Sequence, residues 1–141
     1  MINNKDIKLY IVGDFDSNFK SDPFLHLAES NIVFKGRVSD QELVSLYSNA
    51  MAFIYPSIYE GFGIPMLEAF GCGCPVAASD RSSLPEIGGD GAEYFDPESE
   101  ESMRDTVDLL LSSSERREDL IARGRQRAKQ YSWPETARHT V

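Results

Sequence analysis

The sequence predicts an α/β fold in which a parallel sheet is flanked by helices. Short apolar runs alternate with longer amphipathic segments, which is the pattern of repeated β-α units. Several of the apolar runs end at turn residues and are followed by helix-start signals. A chain of 141 residues is long enough to bury a core. We therefore predict one domain over residues 1–141.

Five short apolar runs are predicted as strands. They are bounded by glycine, proline or polar residues, which is typical of strands in a layered α/β domain. In a parallel sheet of this kind ligands bind at the carboxyl ends of the strands. The predicted strands are Lys8–Val12, Ile32–Phe34, Ala52–Tyr55, Pro75–Ser79 and Ala92–Phe95.

The predicted helices are recognised by their first residues. Ser39 and Glu42 have capping-box spacing, in which each side chain satisfies an amide of the first turn. Pro65 suits the first turn of another helix, because the amide that proline lacks would stay unpaired there. The other signals are a helix from Ser21-Asp22-Pro23 to about Glu29, the helix end at Gly71 and Gly73, the apolar sets Met103–Leu111 and Leu120–Ala128, and a second capping box at Ser132–Glu135.

The charge and the hydrophobic pattern exclude several classes of protein. The net charge is −9 and no cluster of Lys and Arg offsets it, so a nucleic-acid partner is not expected. The longest apolar run, Ala50–Tyr55, is far shorter than the roughly 20 residues that cross a bilayer. The N-terminus has no signal-peptide pattern. We therefore expect a cytoplasmic location and no transmembrane segment.

No metal site or disulfide is predicted. Cys72 and Cys74 are separated by one residue, which is not redox Cys-x-x-Cys spacing, and we interpret them as small buried thiols. Asp14 and Asp16 have the spacing of a pair that holds a metal beside a diphosphate. They directly follow the first strand, however, and aspartate is common in turns, so we interpret them as a polar loop.

The segment between the third strand and the helix at Pro65 carries the chemistry. Gly61 and Gly63 remove side chains where the backbone turns, so that backbone amides can approach a ligand. The positive N-terminus of the helix favours phosphate or sugar oxygens. Glu60 precedes the turn and Glu68 lies one turn into the helix, with seven residues between them. Ionised carboxylates accept hydrogen bonds from the paired hydroxyls of sugars and ribose.

Each glutamate alone also has an ordinary explanation. Glu68 fits a charge that stabilises the dipole of a first helical turn, and Glu60 fits a solvated loop residue. Both together, on either side of Gly-Phe-Gly-Ile-Pro, favour a ligand site instead.

This stretch resembles the Glu, seven residues, Glu signature of retaining GT-B glycosyltransferases of the family-four type. The C-terminal domain of those enzymes is a Rossmann-like parallel sheet flanked by helices. The resemblance covers nearly the whole chain, because further landmarks of that domain occur in the same order. These landmarks are Leu9–Gly13, Phe34–Val38, Pro75–Ser79, Leu84–Glu86 and Tyr131–Trp133.

The resemblance implies a role for each matching residue. Glu68 would hold the ribose hydroxyls, and Glu60 would hold the transferred sugar and position it as the catalytic residue. Val38 and Gly13 would border the base and the diphosphate, although a buried strand residue and a tight-turn glycine fit these two positions equally well. The amides that would line the donor are those of Gly61, Phe62, Gly63 and Ile64.

The resulting hypothesis is a nucleotide-sugar-binding domain of a glycosyltransferase that uses a nucleoside diphosphate sugar with retention of configuration. No metal or cofactor is implied. On the resemblance, the chain is expected to lack an N-terminal acceptor domain and the first β-α unit of its own domain, with the Arg and Lys pair for the diphosphate. Transfer by the chain alone is therefore not expected. A non-catalytic nucleotide-binding regulatory module and a nucleotide-sugar epimerase of the same architecture stay open as alternatives.

Overall fold

A computed structural model describes residues 7–14 and 31–131. The chain divides into two compact units, Met1–Leu43 and Val44–Val141, and each is described by itself. The helix predicted from Ser21-Asp22-Pro23 and the second capping box at Ser132–Glu135 lie outside the described residues.

The first unit contains a two-stranded parallel sheet. β1 (Leu9–Val12) pairs with β2 (Ile32–Gly36), which continues two residues beyond its predicted end at Phe34. The amide of Gly13 donates to the carbonyl of Gly36 at 3.0 Å, so the pairing continues past the last residue of β1.

Helix α1 begins at the predicted cap. It spans Asp40–Asn49, and the amide of Glu42 donates to the Ser39 hydroxyl at 3.3 Å. The serine half of the capping box is therefore confirmed. Glu42 instead uses its carboxylate in an ion pair with Lys35, at 3.0 Å between Oε1 and Nζ.

The second unit contains a three-stranded parallel sheet in the order β3-β4-β5. The strands are β3 (Phe53–Tyr55), β4 (Val76–Ser79) and β5 (Ala92–Phe95), each within one residue of its predicted bounds. Every residue of the central strand β4 is buried. A strand buried on both faces explains why this run is continuously apolar and does not alternate with polar residues.

Within residues 44–131, the second unit has four helices in addition to the end of α1. Three of them correspond to predicted helices, and α3 is additional. They are α2 (Ile64–Cys72), α3 (Leu84–Gly88), α4 (Glu100–Ser112) and α5 (Ser114–Ala128), with 3-10 turns at Gly89–Gly91 and Lys129–Tyr131.

The end of α2 follows the predicted glycine signal. Gly73 has a φ of 73°, a left-handed conformation, and its amide donates to the carbonyl of Phe70 at 3.0 Å. Cys74, just beyond it, is buried and Cys72 is half-buried, and both thiols are free. Burial raises the pKa of Cys74 to about 12, so its thiol stays neutral near pH 7. The interpretation of the two cysteines as small packing thiols is confirmed for Cys74 and fits Cys72 in part.

The core of the second unit lies between β4, β5 and the long helices. Ala77, Phe95, Leu110 and Leu120 form one buried cluster. Burying each of the larger side chains contributes about 1.5–3 kcal/mol relative to leaving it exposed. Within residues 7–14 and 31–131, no helix is long and apolar enough to span a bilayer.

Candidate functional site

The candidate site is the loop of residues 56–63 between β3 and α2, which we call the glycine loop. β3 and β4 are parallel neighbours, so the glycine loop and the segment that follows β4 leave the same carboxyl edge of the sheet. This is the edge at which parallel α/β sheets bind ligands. Glu60 is half-buried within the loop, whereas Tyr59 and Phe62 are exposed.

Gly63 is required at the end of the glycine loop for two reasons. Its φ of 102° lies in the region that side-chain-bearing residues avoid. A Cβ at this position would also lie 2.9 Å from Cδ2 of Leu84. Gly61 differs, because a Cβ there would meet nothing within 4 Å. Packing against Leu84 therefore requires glycine at position 63, while the surroundings of Gly61 are open. The predicted approach of these amides to a ligand stays a prediction.

The N-terminus of α2 keeps its positive character. Gly63 has no side chain with which to cap the first turn, and that turn contains no acidic residue. Pro65 lies in the first turn, as predicted, and the amide of Met66 donates to the carbonyl of Gly63 at 3.1 Å. Glu68 follows one turn later and is exposed. The helix dipole and the exposed carboxylate are therefore both available to a polar ligand.

A tyrosine accompanies each of the two glutamates. Burial raises the pKa of Tyr55, and a hydrogen bond with the Glu60 side chain raises it further. Burial likewise raises the pKa of Tyr47, and the nearby charge of Glu68 adds to that increase. Both phenols are therefore protonated at neutral pH.

Three serines in β4 and in the segment after it contact the glycine loop. No sequence pattern predicts this role for them. The hydroxyl of Ser79, the last residue of β4, donates to the carbonyl of Ser57 at 2.5 Å. The hydroxyls of Ser82 and Ser83 donate to the carbonyl of Glu60 at 2.8 and 2.9 Å. The backbone conformation at Glu60 therefore depends on side chains about 22 positions further along the chain.

Phe62 contacts the last described turn of the chain. Its ring meets that of Tyr131 edge to face, with 5.8 Å between the ring centroids. The Arg127 guanidinium lies over the Tyr131 ring, 5.3 Å from its centroid. Tyr131 is one of the sequence landmarks, and this contact gives it a structural role beside the glycine loop.

Gly13 and Val38 belong to the first unit, and the other predicted donor residues belong to the second. Gly13 has a φ of 138°, which fits the tight-turn interpretation of this glycine. Its amide is already bonded to the carbonyl of Gly36. Val38 is half-buried just after β2. Their assignment to the diphosphate and the base stays a prediction.

Asp14 forms an ion pair with an arginine. Its carboxylate accepts hydrogen bonds from Arg37, with 2.7 Å between Oδ2 and Nη2. The hydrogen bond and the charge of Asp14 raise the pKa of Arg37. Among residues 7–14 and 31–131, no group of three or more His, Cys, Asp or Glu is placed to hold a metal ion. Asp16 lies outside these residues.

Comparison with known proteins places this arrangement in a wider group. The sequence model of the family described as "Glycosyl transferases group 1" matches residues 2–127. O-antigen chain mannosyltransferase B of Escherichia coli is 42% identical over 113 residues, which cover 80% of this chain and 30% of that protein.

Solved structures are similar in fold. Sucrose-phosphate synthase from Thermosynechococcus elongatus matches with a TM-score of 0.82 and 23% identity, over 94% of this chain and 36% of that one. The Anabaena protein HepE, solved in complex with UDP-glucose, matches with a TM-score of 0.78 and 19% identity, over 89% of this chain and 37% of that one. The predicted α/β fold of parallel strands flanked by helices is confirmed. The chain spans about a third of the length of these proteins.

Proposed function

Because the chain belongs to the glycosyl transferases group 1 family, we propose that it is the donor-binding part of an enzyme that transfers a sugar from a nucleoside diphosphate sugar to an acceptor with retention of configuration. The observation that carries this proposal is the glycine loop. It joins an uncapped helix N-terminus to two carboxylates, Glu60 and Glu68, at the carboxyl edge of a parallel sheet. The similarity in fold to a protein solved with UDP-glucose supports the same class of ligand.

The two glutamates receive different parts of the donor. Glu68 is exposed on α2 and accepts hydrogen bonds from the ribose hydroxyls. Glu60 is half-buried and accepts hydrogen bonds from the hydroxyls of the sugar. The diphosphate lies near the amides of Gly61–Ile64, where the positive end of the helix dipole offsets its charge.

The reaction requires the bond between the anomeric carbon and the diphosphate oxygen to break. Positive charge develops on the sugar ring and negative charge on the leaving diphosphate. The N-terminus of α2 stabilises the leaving group, and Glu60 holds the sugar in a fixed orientation. The acceptor hydroxyl oxygen bonds to the anomeric carbon on the face that the diphosphate leaves, and its proton passes to the departing phosphate oxygen. Because attack and departure occur on the same face of the sugar, the configuration at the anomeric carbon is retained. The reaction requires no cofactor.

The acceptor side of the active site is proposed to lie in a part of the protein beyond these 141 residues. The E. coli mannosyltransferase and the two solved structures are roughly three times as long as the stretch that they share with this chain. A second domain that closes over the donor would exclude water and bring the acceptor hydroxyl to the sugar.

Separate substitution of the two glutamates tests the proposal. We expect Glu68→Gln to weaken binding of a nucleoside diphosphate and of its sugar conjugate equally, by about ten- to a hundredfold, since one or two hydrogen bonds to a charged acceptor are lost. We expect Glu60→Gln to weaken only the sugar conjugate. Calorimetric titration of UDP, GDP and ADP and one sugar conjugate of each measures both effects. Glu118→Gln, at an exposed position on α5, is the matched control.

The outcomes separate the alternatives. Equal losses for both ligands in both variants would contradict the assignment of one glutamate to each ring. Unchanged affinity for both ligands in both variants would contradict the presence of a donor site at these glutamates. In the full-length protein, epimerisation of the sugar would favour an epimerase, and binding without any turnover would favour a regulatory module.

A further inference from the structure

Ser82 and Ser83, which we call the serine clamp, contact the main chain of Glu60 on both sides of its Cα atom. The Ser82 hydroxyl donates to the carbonyl of Glu60 at 2.8 Å, and the amide of Glu60 donates back to the Ser82 oxygen at 3.4 Å. The Ser83 hydroxyl lies 2.9 Å from the same carbonyl and 3.2 Å from the carbonyl of Phe62. The donor and the acceptor of Glu60 are therefore both occupied by serine side chains.

Ser82 has a backbone conformation that glycine adopts more readily. Its φ of 56° is the only positive value at a non-glycine residue among residues 7–14 and 31–131. A side chain in this region is strained, and glycine would remove the strain. Ser82 is also exposed, so its side chain does not fill the core. What serine provides here and glycine does not is the hydroxyl that contacts Glu60.

Ser83 contacts the loop on both sides of Gly61, which has open space around it. Gly61 lies between the two carbonyls that the Ser83 hydroxyl contacts, and a Cβ at Gly61 would meet nothing within 4 Å. Glycine has the largest backbone freedom of any residue. A hydroxyl that bridges the carbonyls before and after Gly61 limits this freedom without a steric contact.

The segment that carries the clamp is anchored to the sheet. The amide of Arg81 donates to the Ser79 hydroxyl at 3.3 Å, and the amide of Asp80 donates to the carbonyl of Phe95 in β5 at 2.9 Å. The Arg81 guanidinium also binds Asp96, at 2.7 Å between Nη2 and Oδ1. The serines therefore project from a base that is tied to the two neighbouring strands.

We propose that Ser82 and Ser83 are positioning residues that fix the main chain at Glu60 and thereby determine how strongly the site distinguishes a nucleotide sugar from the nucleoside diphosphate alone. This inference rests on the proposed function of Glu60. The clamp holds the main chain of Glu60 through its amide and its carbonyl. A glutamate whose main chain is held presents its carboxylate to the sugar at a smaller conformational cost.

Two measurements on serine variants test the proposal. The variants are Ser82→Gly, Ser82→Ala and Ser83→Ala, and the control is Ser112→Ala, whose hydroxyl contacts only helix carbonyls at the end of α4. Hydrogen exchange at the Glu60 amide reports the clamp directly. Titration with a nucleoside diphosphate and its sugar conjugate reports discrimination. Ser82→Gly is the most informative variant, because removal of backbone strain counteracts the loss of hydrogen bonds and keeps the protein folded.

We expect the Glu60 amide to exchange at least about fivefold faster in the Ser82 variants, because a hydrogen bond is lost. We expect binding of the sugar conjugate to weaken several-fold more than binding of the nucleoside diphosphate in all three variants. The control should change neither quantity.

Each contrary result has one meaning. Unchanged exchange of the Glu60 amide in the Ser82 variants would show that the clamp does not restrain the main chain there. Faster exchange with an unchanged preference for the sugar conjugate, or an equal loss for both ligands, would overturn the positioning role. Failure of the unmodified protein to bind any nucleotide sugar would contradict the proposed function, whatever the exchange rates show.

Discussion

At the scale of single residues, the two glycines of the glycine loop have different physical requirements. Gly63 combines a φ of 102° with a close approach to Leu84, whereas Gly61 has open space around it. A side chain at Gly63 would strain the backbone and displace Leu84, which is fully buried. The chemical nature of the loop follows from its sequence, but the difference between its glycines follows from the packing of α3.

We expect Gly63→Ala to lower the free energy of unfolding by about 1–3 kcal/mol, because it adds a strained φ and an overpacked contact. Urea denaturation followed by circular dichroism measures the change. Gly61→Ala is the matched control and should be close to neutral. A similar cost at both glycines would contradict the steric account of Gly63.

The predicted site residues and the unpredicted ones differ in how local their signals are. Glu60, Glu68 and the glycines form a contiguous motif that contains a helix start, so they could be recognised from the sequence. Ser82 and Ser83 contact the loop from a distance of 21–23 positions, and two adjacent serines carry no pattern that distinguishes them from an ordinary turn. Their contact with the loop becomes evident only when β3 is known to pair with β4.

At the scale of elements, α5 is attached to the end of α3 by one arginine. The Arg127 side chain donates to the carbonyl of Ile87 at 2.9 Å and also to the carbonyl of Glu86. These carbonyls lie in the last turn of a helix of only five residues, where a cation also offsets the helix dipole. The same guanidinium donates to the Tyr131 hydroxyl at 3.0 Å. Arg127 therefore links the short helix α3, which contributes Leu84 to the site, to α5 and to Tyr131.

We expect Arg127→Lys to lower the free energy of unfolding by about 1–2 kcal/mol, because an ammonium group cannot reproduce the forked contacts of the guanidinium. Thermal unfolding followed by circular dichroism measures the change. Arg104→Lys, at an exposed position on α4, provides the control. If the two substitutions had equal effects, the attachment of α5 to α3 would contribute nothing specific.

Among the elements, α3 shows the limit of prediction from the sequence. The other helices extend over nine residues or more and have start signals or apolar periodicity, so they were predicted. α3 has five residues, which is too short for a periodic pattern, although Pro85 near its start is a typical helix-start residue.

At the scale of the whole molecule, the positions of the strands in the sequence were easier to predict than their arrangement in sheets. All five described strands were identified from apolar runs, and their parallel pairing follows from the alternation with helices. The division of these strands between two sheets was not predicted. Strands of three to five residues carry no sequence signal for their neighbours, because pairing depends on tertiary contacts.

The close packing of α5 on α2 gives the second unit a spectroscopic signature. A Cβ at Gly124 would lie 2.6 Å from Cδ1 of Phe70 and 3.1 Å from each adjoining ring carbon, so one α-proton of Gly124 points at the face of the ring and not at its edge. The ring current should move that proton upfield of ordinary glycine signals in a proton-carbon correlation spectrum. Phe70→Leu should return it to the usual range. An unshifted signal in the unmodified protein would mean that the two helices do not meet at this distance in solution.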